Sequence, residues 1–467
     1  MTTIVEQLGS LAFQVTKSGL PDSLRREAAR RLLDVIGNSL AAKDESAGKI
    51  VQNVVAAWGG PLEAVGIGVG KMPAASSALL NGTLAHAMDF DDTHLPSVLH
   101  PSASVVPAAL AVASAMNSTP TQLLDAITVG IEVTCRLGMA GYDQELGNSV
   151  FFERGLHATS ICGTLGSAAA AAMLLNLNAS QIASAIGIAA SMGAGLLEAN
   201  RTGGTVKRTH CGWAAHGGVV AAQLAQAGLT GPPTVIEGRF GFMQAYCGDK
   251  VNLDAITSEL GTEWVLPGLF FKPYPCNHFT HAGIDAARQL KAEGLTAEKI
   301  SSLELQVPTP VLRTIAEPRA AKIKPESGYH AAFSGPYTVA AAFYREHGLG
   351  LFHEDFEDET AADAEILDLA ARVNVVSSQE CDDIFPFQFP AILTAHLVDG
   401  SSITKKVLVN RGGPDNPLSD QELALKFSSN ALRTISQAQA AKISEVIFGF
   451  PTNLTSLADL TQLLTDI

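Results

Sequence analysis

Positively charged residues are scarce in this 467-residue sequence. Its 31 Lys and Arg residues stand against 46 Asp and Glu residues, which gives a formal net charge of -15 at pH 7. A protein that tracks nucleic-acid phosphates needs a basic surface, so this composition excludes nucleic acid as a partner. Charged residues make up only 16% of the chain and hydrophobic residues 47%, which excludes an intrinsically disordered protein. We expect a large buried core and an oligomer whose interface buries further apolar surface.

The sequence also lacks the signals of export, membrane insertion and disulfide bonding. Its six cysteines include no CxxC pair, which favours reduced thiols in the cytoplasm. The N-terminal residues show neither a secretory signal nor an Arg-rich transit peptide. The charge-free run from Gly155 to Leu197 is dominated by Ala, Gly and Ser, so it predicts two buried helices and no membrane span. We therefore expect a cytoplasmic protein without a membrane partner.

Up to about residue 267 the apolar spacing predicts helices. Thr119 and Asn178 each stand three residues before a Gln, which is the pattern of a capping box at a helix start. Another helix is predicted from Ala74 onwards. After Arg411, Ser419 and Glu422 predict a further helix start, and helices then continue to the C-terminus. The two ends of the chain are therefore predicted to form one helical body.

The middle of the chain differs because strand patterns occur in it. Residues 301–316 alternate as a strand does, and residues 373–376 are β-branched. Asp399-Gly400 predicts a tight hairpin turn between two apolar segments. We predict a mainly α fold, with a helical domain of residues 1–267 and 412–467 and an α+β domain of residues 268–411.

Histidines and acids concentrate in the string HAMDFDDTH, residues 86–94, which is followed by His100. At helical spacing His86, Asp89 and Thr93 share one face. The string is either a helix end with solvated acids or a set of partly buried polar groups that must pair or function, because apolar runs flank it on both sides.

Three more strings carry candidate residues. His157 precedes the uncharged helical run and is either a helix cap or a site residue. Lys207 and Arg208 follow two glycines. This arrangement fits a binding site for a carboxylate or phosphate and an exposed basic turn equally well. His278 and His281 lie at the proposed domain junction, where clefts bind ligands. No HExxH pattern occurs and these two histidines lack a clear third ligand, so no metal is expected.

Together these strings resemble the MmgE/PrpD family, which includes 2-methylcitrate dehydratases, cis-aconitate decarboxylases and iminodisuccinate epimerases. The resemblance is nearly full-length. It rests on AASSALLNGTLAHAMDFDDTH and HPSASVVPAALA within 74–111, GLHATSICGTLGSAAAAA, GGTVKRTHCGWAAHGG, GRFGF and KPYPCNHFTHAGIDAA. It implies an all-helical large domain formed by both chain ends, an α+β lid inserted between them, and a homodimer that uses neither a metal nor an organic cofactor.

The resemblance also implies an active site for a di- or tricarboxylic acid. Lys207 would clamp a carboxylate or donate a proton, and His100 and His157 would carry the proton transfers. Asp89 would orient an imidazole or a substrate hydroxyl, and His281 would complete the site when the lid closes. The residues expected to bind the substrate are Thr93, Asp92, Arg208 and Lys207.

The reaction stays open at this level. A 2-methylcitrate dehydratase-type lyase is the leading reading, while cis-aconitate decarboxylation and iminodisuccinate-type epimerisation reuse the same groups. One departure bears on this choice, because decarboxylase members carry a tyrosine on the lid strand where this chain has Val311-Leu312-Arg313, and Tyr329 is the nearest candidate. A non-catalytic carboxylate-binding protein on the same fold is the alternative from a different class.

Overall fold

The computed structural model describes residues 2–452 and 454–467, and the chain is mainly α-helical with small sheets. It divides into two compact units. The first unit runs to Leu269 and resumes at Phe427, and the second unit spans Phe270–Lys426. The sequence predicts an insert of 268–411, whereas the residues from 412 to 426 cluster with the second unit. Two contacts within that unit hold this segment, from the Phe271 N–H to the Gly412 carbonyl at 2.9 Å and from Arg411 to Glu422.

The first unit is built from helices and two short hairpins. Its strands pair antiparallel as β1 (Ala64–Gly66) with β2 (Gly70–Met72) and as β3 (Tyr142–Asp143) with β4 (Asn148–Ser149). Its helices before Leu269 are α1 (Ile4–Ser18), α2 (Asp22–Ala41), α3 (Ser46–Trp58), α4 (Ala74–His86), α5 (Ser102–Met116), α6 (Pro120–Ala140), α7 (Val150–Glu153), α8 (Ala158–Leu174), α9 (Ala179–Ala189), α10 (Ala199–Thr202), α11 (His210–Gln226), α12 (Phe242–Cys247) and α13 (Asp254–Thr257).

The second unit contains a four-stranded sheet in the order β6-β5-β7-β8. Its strands are β5 (Ile300–Val307), β6 (Val373–Ser377), β7 (Ala391–Leu397) and β8 (Ser402–Val407); β6 lies parallel to β5, and the other pairs are antiparallel. The helices from this unit to the end of the chain are α14 (His281–Ala292), α15 (Leu312–Ile315), α16 (Arg319–Ile323), α17 (Gly328–Ala331), α18 (Gly335–Tyr344), α19 (Asp358–Ala361), α20 (Ala364–Ala371), α21 (Gln379–Asp382), α22 (Asp420–Ala431), α23 (Gln437–Gly449) and α24 (Leu457–Thr465).

Local sequence signals account for many of these elements. The capping boxes at Thr119 and Asn178 are confirmed and start α6 and α9. The run from Gly155 to Leu197 contains the predicted two helices, α8 and α9. Asp399-Gly400 joins β7 to β8, and Gly400 has the positive φ of 87° that such a turn requires.

One strand prediction is wrong over half its length. Residues 301–316 were predicted as a strand, but β5 ends at Val307. Pro308 and Pro310 follow and remove two backbone N–H donors, so the chain turns into the 3-10 helix Thr309–Val311 and then α15.

The core of the first unit is arranged around α8. Every residue of α8 is buried, and α4, α5, α6, α9 and α11 pack with it and with one another. The C-terminal segment returns to this unit, where the Leu464 carbonyl accepts a hydrogen bond from the Gly68 N–H at 2.9 Å. Among the described residues, no helix combines the length and the apolar character needed to cross a membrane.

Candidate active site

Glycines bring the end of α4 close to the start of α11. A Cβ atom added to Gly212 would overlap the carbonyl oxygen of Leu79, and one added to Gly82 would lie 2.7 Å from the Cα atom of Gly212. His86 is the last residue of α4 and His210 is the first residue of α11. Two histidines that are far apart in the sequence therefore stand on neighbouring helix ends.

The segment after α4 is a loop, and its shape corrects one prediction. His86, Asp89 and Thr93 do not share a helix face, because α4 ends at His86 and Asp89 has a left-handed φ of 54°. The loop folds back so that the Nδ1–H of His86 donates to the carboxylate Oδ2 of Asp91 over 2.8 Å. Both side chains are buried, with 1% and 0% of their surface exposed. His86 and Asp91 thus form a buried hydrogen-bonded dyad.

Asp92 holds the start of α5. Its Oδ2 accepts a hydrogen bond from the Ser102 hydroxyl at 2.5 Å, and its Oδ1 accepts one from the Ser102 N–H at 3.2 Å. Burial raises the pKa of Asp92 to about 6, although Arg31 and Ser102 act in the opposite direction. These contacts are with protein groups, so the substrate-binding role of Asp92 stays a prediction.

The backbone of Asp92 orients His100. Its carbonyl oxygen lies 2.7 Å from Nδ1 of His100 and only accepts, so Nδ1 carries the proton and Nε2 holds the lone pair of the neutral ring. The Thr93 hydroxyl lies 3.4 Å from the same Nδ1. Thr93 is buried and His100 is half-buried. The loop therefore presents His100 in one tautomer beside a hydroxyl group.

His157 and His210 form a second histidine pair. His157 occupies the N-cap position of α8, and its Nδ1 lies 3.0 Å from Nδ1 of His210. Burial lowers the pKa of His157 well below its usual value, and electrostatic interactions with His86, Lys207, His210 and His100 lower it further. Burial also lowers the pKa of His210 to about 4, again with contributions from His86 and Lys207. Both rings are neutral near pH 7.

The four rings form a row, which we call the imidazole cluster: His100, His86, His157 and His210. The distances between neighbouring ring centroids along this row are 5.7, 5.6 and 5.0 Å. Because rings at this separation are in near contact, a proton on one ring affects its neighbours electrostatically.

Lys207 lies beside the cluster on the 3-10 helix Val206–Thr209. Its Nζ is 3.7 Å from Oδ1 of Asp89, and about one-fifth of each side chain is exposed. Both side chains are therefore partly accessible. Arg208 points to a different partner, since its Nη1 lies 4.0 Å from a carboxylate oxygen of Glu45.

The structure brings most of the candidate residues of the first unit together. Asp89 contacts Lys207, Thr93 approaches His100, and the charge of Lys207 acts on His157. Three participants were not among the predicted site residues, namely His86, Asp91 and His210. Each of the three is a polar residue of a candidate string next to an apolar helix, which the sequence shows. The contacts that bring them into the site form only through tertiary packing.

His281 belongs to the second unit, where it is the first residue of α14. Its Nε2–H donates to the Cys276 carbonyl oxygen over 3.2 Å, and its ring meets the edge of Tyr274 with centroids 5.2 Å apart. The Tyr274 hydroxyl in turn donates to Asp285 at 2.5 Å. His281 is buried and held in one tautomer within its unit, and its completion of the active site stays a prediction.

One described group of residues has the donor types of a metal site. Ligand atoms of His86, Asp91 and Cys211 lie within 4.8 Å of one another, and all three residues are buried. Burial raises the pKa of the Cys211 thiol well above its usual value, which keeps the thiol protonated near neutral pH. The hydrogen bond between His86 Nδ1 and Asp91 Oδ2 engages one atom of each of the other two side chains. We therefore interpret the group as a hydrogen-bonded dyad beside a neutral thiol.

Comparison with known proteins places this site in a family. The chain matches the MmgE/PrpD N-terminal domain over residues 6–254 and the MmgE/PrpD C-terminal domain over residues 274–448. It is 31% identical to human cis-aconitate decarboxylase over 403 residues, which cover 85% of this chain and 79% of the human protein. It is 28% identical to the mouse cis-aconitate decarboxylase over 99% of this chain and 94% of that protein, and 26% identical to the Aspergillus terreus protein of that name over 85% and 83%. The chain therefore belongs to the MmgE/PrpD family and is an enzyme of the lyase class.

Proposed function

We propose that this enzyme moves a proton at a carbon next to a carboxylate of a tricarboxylic acid, and that decarboxylation of cis-aconitate is the first reaction to test. The observation that carries the proposal is the imidazole cluster beside an accessible ammonium, in a chain whose relatives over 85% to 99% of its length are cis-aconitate decarboxylases. Its substrate would be an anion, in keeping with a cation at the accessible side of the site.

The overall chemistry defines what the site must supply. Decarboxylation of cis-aconitate to itaconate releases CO2 and adds one proton to carbon. When the C–C bond breaks, its electron pair moves into the remaining carbon skeleton. Cationic groups near the carboxylates stabilise that charge, and a proton donor then quenches it. Lys207 fits both requirements, because it carries an ammonium on a partly exposed side chain, 3.7 Å from a carboxylate oxygen of Asp89.

The histidines supply the proton acceptors. His100 offers Nε2, since its Nδ1–H is bonded to the Asp92 carbonyl. His157 is neutral because burial lowers its pKa, so it accepts a proton and is not a resting acid. Thr93 lies beside His100 and donates a hydrogen bond to the substrate in this proposal. The proposal also retains Arg208 and Asp92 as residues near the substrate, His281 as the group that completes the site, an inserted α+β lid, and a homodimer.

A second candidate is the dehydration of 2-methylcitrate. It is favoured by the absence of a tyrosine at Val311-Leu312-Arg313, the position at which the family resemblance implies one in decarboxylases. Tyr329, the nearest tyrosine, lies on α17 and is 50% exposed. Dehydration needs a base for the C–H proton and an acid for the departing hydroxyl, and the cluster contains groups for both. Epimerisation would need the same proton acceptors without a leaving group.

The rates on cis-aconitate and 2-methylcitrate separate the two candidates. We expect kcat/KM to be higher for cis-aconitate, and a higher value for 2-methylcitrate would favour dehydration. Lys207→Ala should lower kcat/KM on the better acid by about 100- to 1,000-fold, because one charge-stabilising donor is lost. Lys442→Ala is the matched control, since Lys442 is an exposed lysine of the same unit whose Nζ lies 3.0 Å from a carboxylate oxygen of Glu445 at the surface. Unchanged activity of Lys207→Ala on every acid tested would refute the site.

A further inference from the structure

The contacts described above do not explain why Nε2 of His86 is buried. Its Nδ1–H is bonded to Asp91, yet within the part of the chain that the structure describes, Nε2 has no hydrogen-bond partner. The residue is only 2% exposed, so bulk water does not satisfy this nitrogen. Buried polar atoms without a partner are rare and call for an explanation in function or in bound water.

The tautomer of His86 follows from Asp91. An ionised carboxylate only accepts hydrogen bonds, so the proton of the neutral ring sits on Nδ1 and the lone pair sits on Nε2. A carboxylate held 2.8 Å from Nδ1 also balances the positive charge that appears when Nε2 takes up a proton. The dyad is therefore built to receive a proton at Nε2.

The neighbours of His86 are the groups that would exchange this proton. Its ring centroid lies 5.7 Å from that of His100 and 5.6 Å from that of His157. His157 bonds to the ring of His210, which is not a carboxylate. Burial lowers the pKa of both His157 and His210, so a proton taken up by His157 tends to leave it.

We propose that His86, held by Asp91, is a proton-relay residue behind the candidate active site and exchanges protons with His100 and His157. His86 does not touch the substrate in this arrangement, so it is a positioning and relay residue. The inference rests on the proposed function, because it assigns a path for the proton that the reaction consumes or releases.

The relay step balances in both directions. In dehydration the first imidazole takes the C–H proton, its new N–H bond then breaks, and an N–H bond forms at His86 Nε2. The positive charge ends on the ring that Asp91 holds. In decarboxylation a proton from solvent first enters through the half-buried His100 and forms an N–H bond at His86 Nε2. After Lys207 has given a proton to carbon, that N–H bond breaks and the proton passes through the first imidazole to the Lys207 amine, which restores its ammonium. No oxidant, metal or further reactant is needed.

The test combines kinetics with histidine NMR. His86→Asn and Asp91→Asn keep polar side chains of similar size while removing the accepting nitrogen or its counter-charge. We expect each to lower kcat by about 100-fold with KM nearly unchanged, because proton transfer is affected and substrate binding is not. His216→Asn is the matched control, since His216 is a half-buried histidine of α11 whose ring donates to the Ala75 carbonyl. It should retain full kcat.

The NMR arm does not depend on turnover. In protein labelled with 15N-histidine, the ring signals lost in His86→Asn identify His86, and we expect its Nδ1 to carry a proton, as the hydrogen bond to Asp91 requires. A ring protonated only at Nε2 would overturn the relay, and so would an unchanged kcat in both His86→Asn and Asp91→Asn. If the wild-type enzyme turns over none of the acids, the proposed function fails, whereas the ring NMR still decides whether the dyad has the required tautomer.

Discussion

The stability of the first unit should depend on pH because of a buried histidine in the loop at residues 87–101. His94 is buried in this loop, its Nδ1 lies 2.7 Å from the Ser97 hydroxyl, and its backbone pairs with Leu99. Burial lowers the pKa of His94 to about 3, with Arg31 as the second cause. The loop that presents Thr93 and His100 therefore depends on a neutral imidazole.

The direction and size of this pH effect follow from the pKa of His94 in the folded and unfolded states. In the unfolded chain the pKa of a histidine is about 6.5, so below that pH the unfolded state binds a proton that the folded state refuses. The contribution is fully present above pH 6.5 and is lost as the pH falls towards 3. Between pH 7 and pH 5 the loss amounts to about 2 kcal/mol, and the full shift corresponds to about 5 kcal/mol.

The assay is urea unfolding of the wild type and of His94→Asn at pH 7 and pH 5. All three tryptophans lie in the first unit, at positions 58, 213 and 264, so their fluorescence reports on that unit. We expect the wild type to lose about 2 kcal/mol more than the variant between the two pH values, because Asn can bond Ser97 but does not titrate. His396→Asn, followed by circular dichroism, is the control, since His396 makes a similar bond to Ser402 on an exposed hairpin. Equal losses in the wild type and His94→Asn would refute the reasoning.

Three further outcomes are expected. Ser102→Ala should lower the free energy of unfolding by about 1.5–3 kcal/mol in urea titrations, because it removes a charge-assisted hydrogen bond to the buried Asp92; a change below 0.5 kcal/mol would contradict the assigned contact. Gly212→Ala should cost about 1–3 kcal/mol and lower kcat by separating α4 from α11. Gly217→Ala on the same helix meets only side-chain atoms, Thr164 Cγ2 at 3.3 Å and Met192 Cβ at 3.7 Å, and should be tolerated. The six cysteines are all buried, so a thiol reagent should modify them only after denaturant is added, and rapid loss of activity on modification of the native enzyme would contradict this.

The sequence was sufficient where short-range physics decides the structure. The capping boxes at Thr119 and Asn178 and the Asp399-Gly400 turn act through neighbouring residues, and each lies where it was predicted. The strand prediction over 301–316 failed at Pro308, because the apolar alternation continues past this residue although the prolines remove the backbone N–H donors that a strand needs.

The site was predictable as a set of strings but not as a geometry. Lys207 and Asp89 come together across more than a hundred residues, and nothing local to either string shows that contact. The dyad of His86 and Asp91 depends on where α4 ends, which the sequence pattern extended too far. The pair of His157 and His210 depends on how α8 and α11 pack. These contacts are set by tertiary packing, which residue patterns do not encode directly.

We propose that this lyase transfers a proton at a carbon next to a carboxylate of its substrate. This proposal is tested most directly by proton NMR of the enzyme with cis-aconitate in D2O, run beside 2-methylcitrate, citrate and iminodisuccinate. We expect the enzyme to form CO2 and itaconate that carries one solvent-derived deuterium on carbon. We expect Lys207→Ala to form far less itaconate. Silence on all four acids, with neither product nor exchange of hydrogen at carbon, would contradict the proposal.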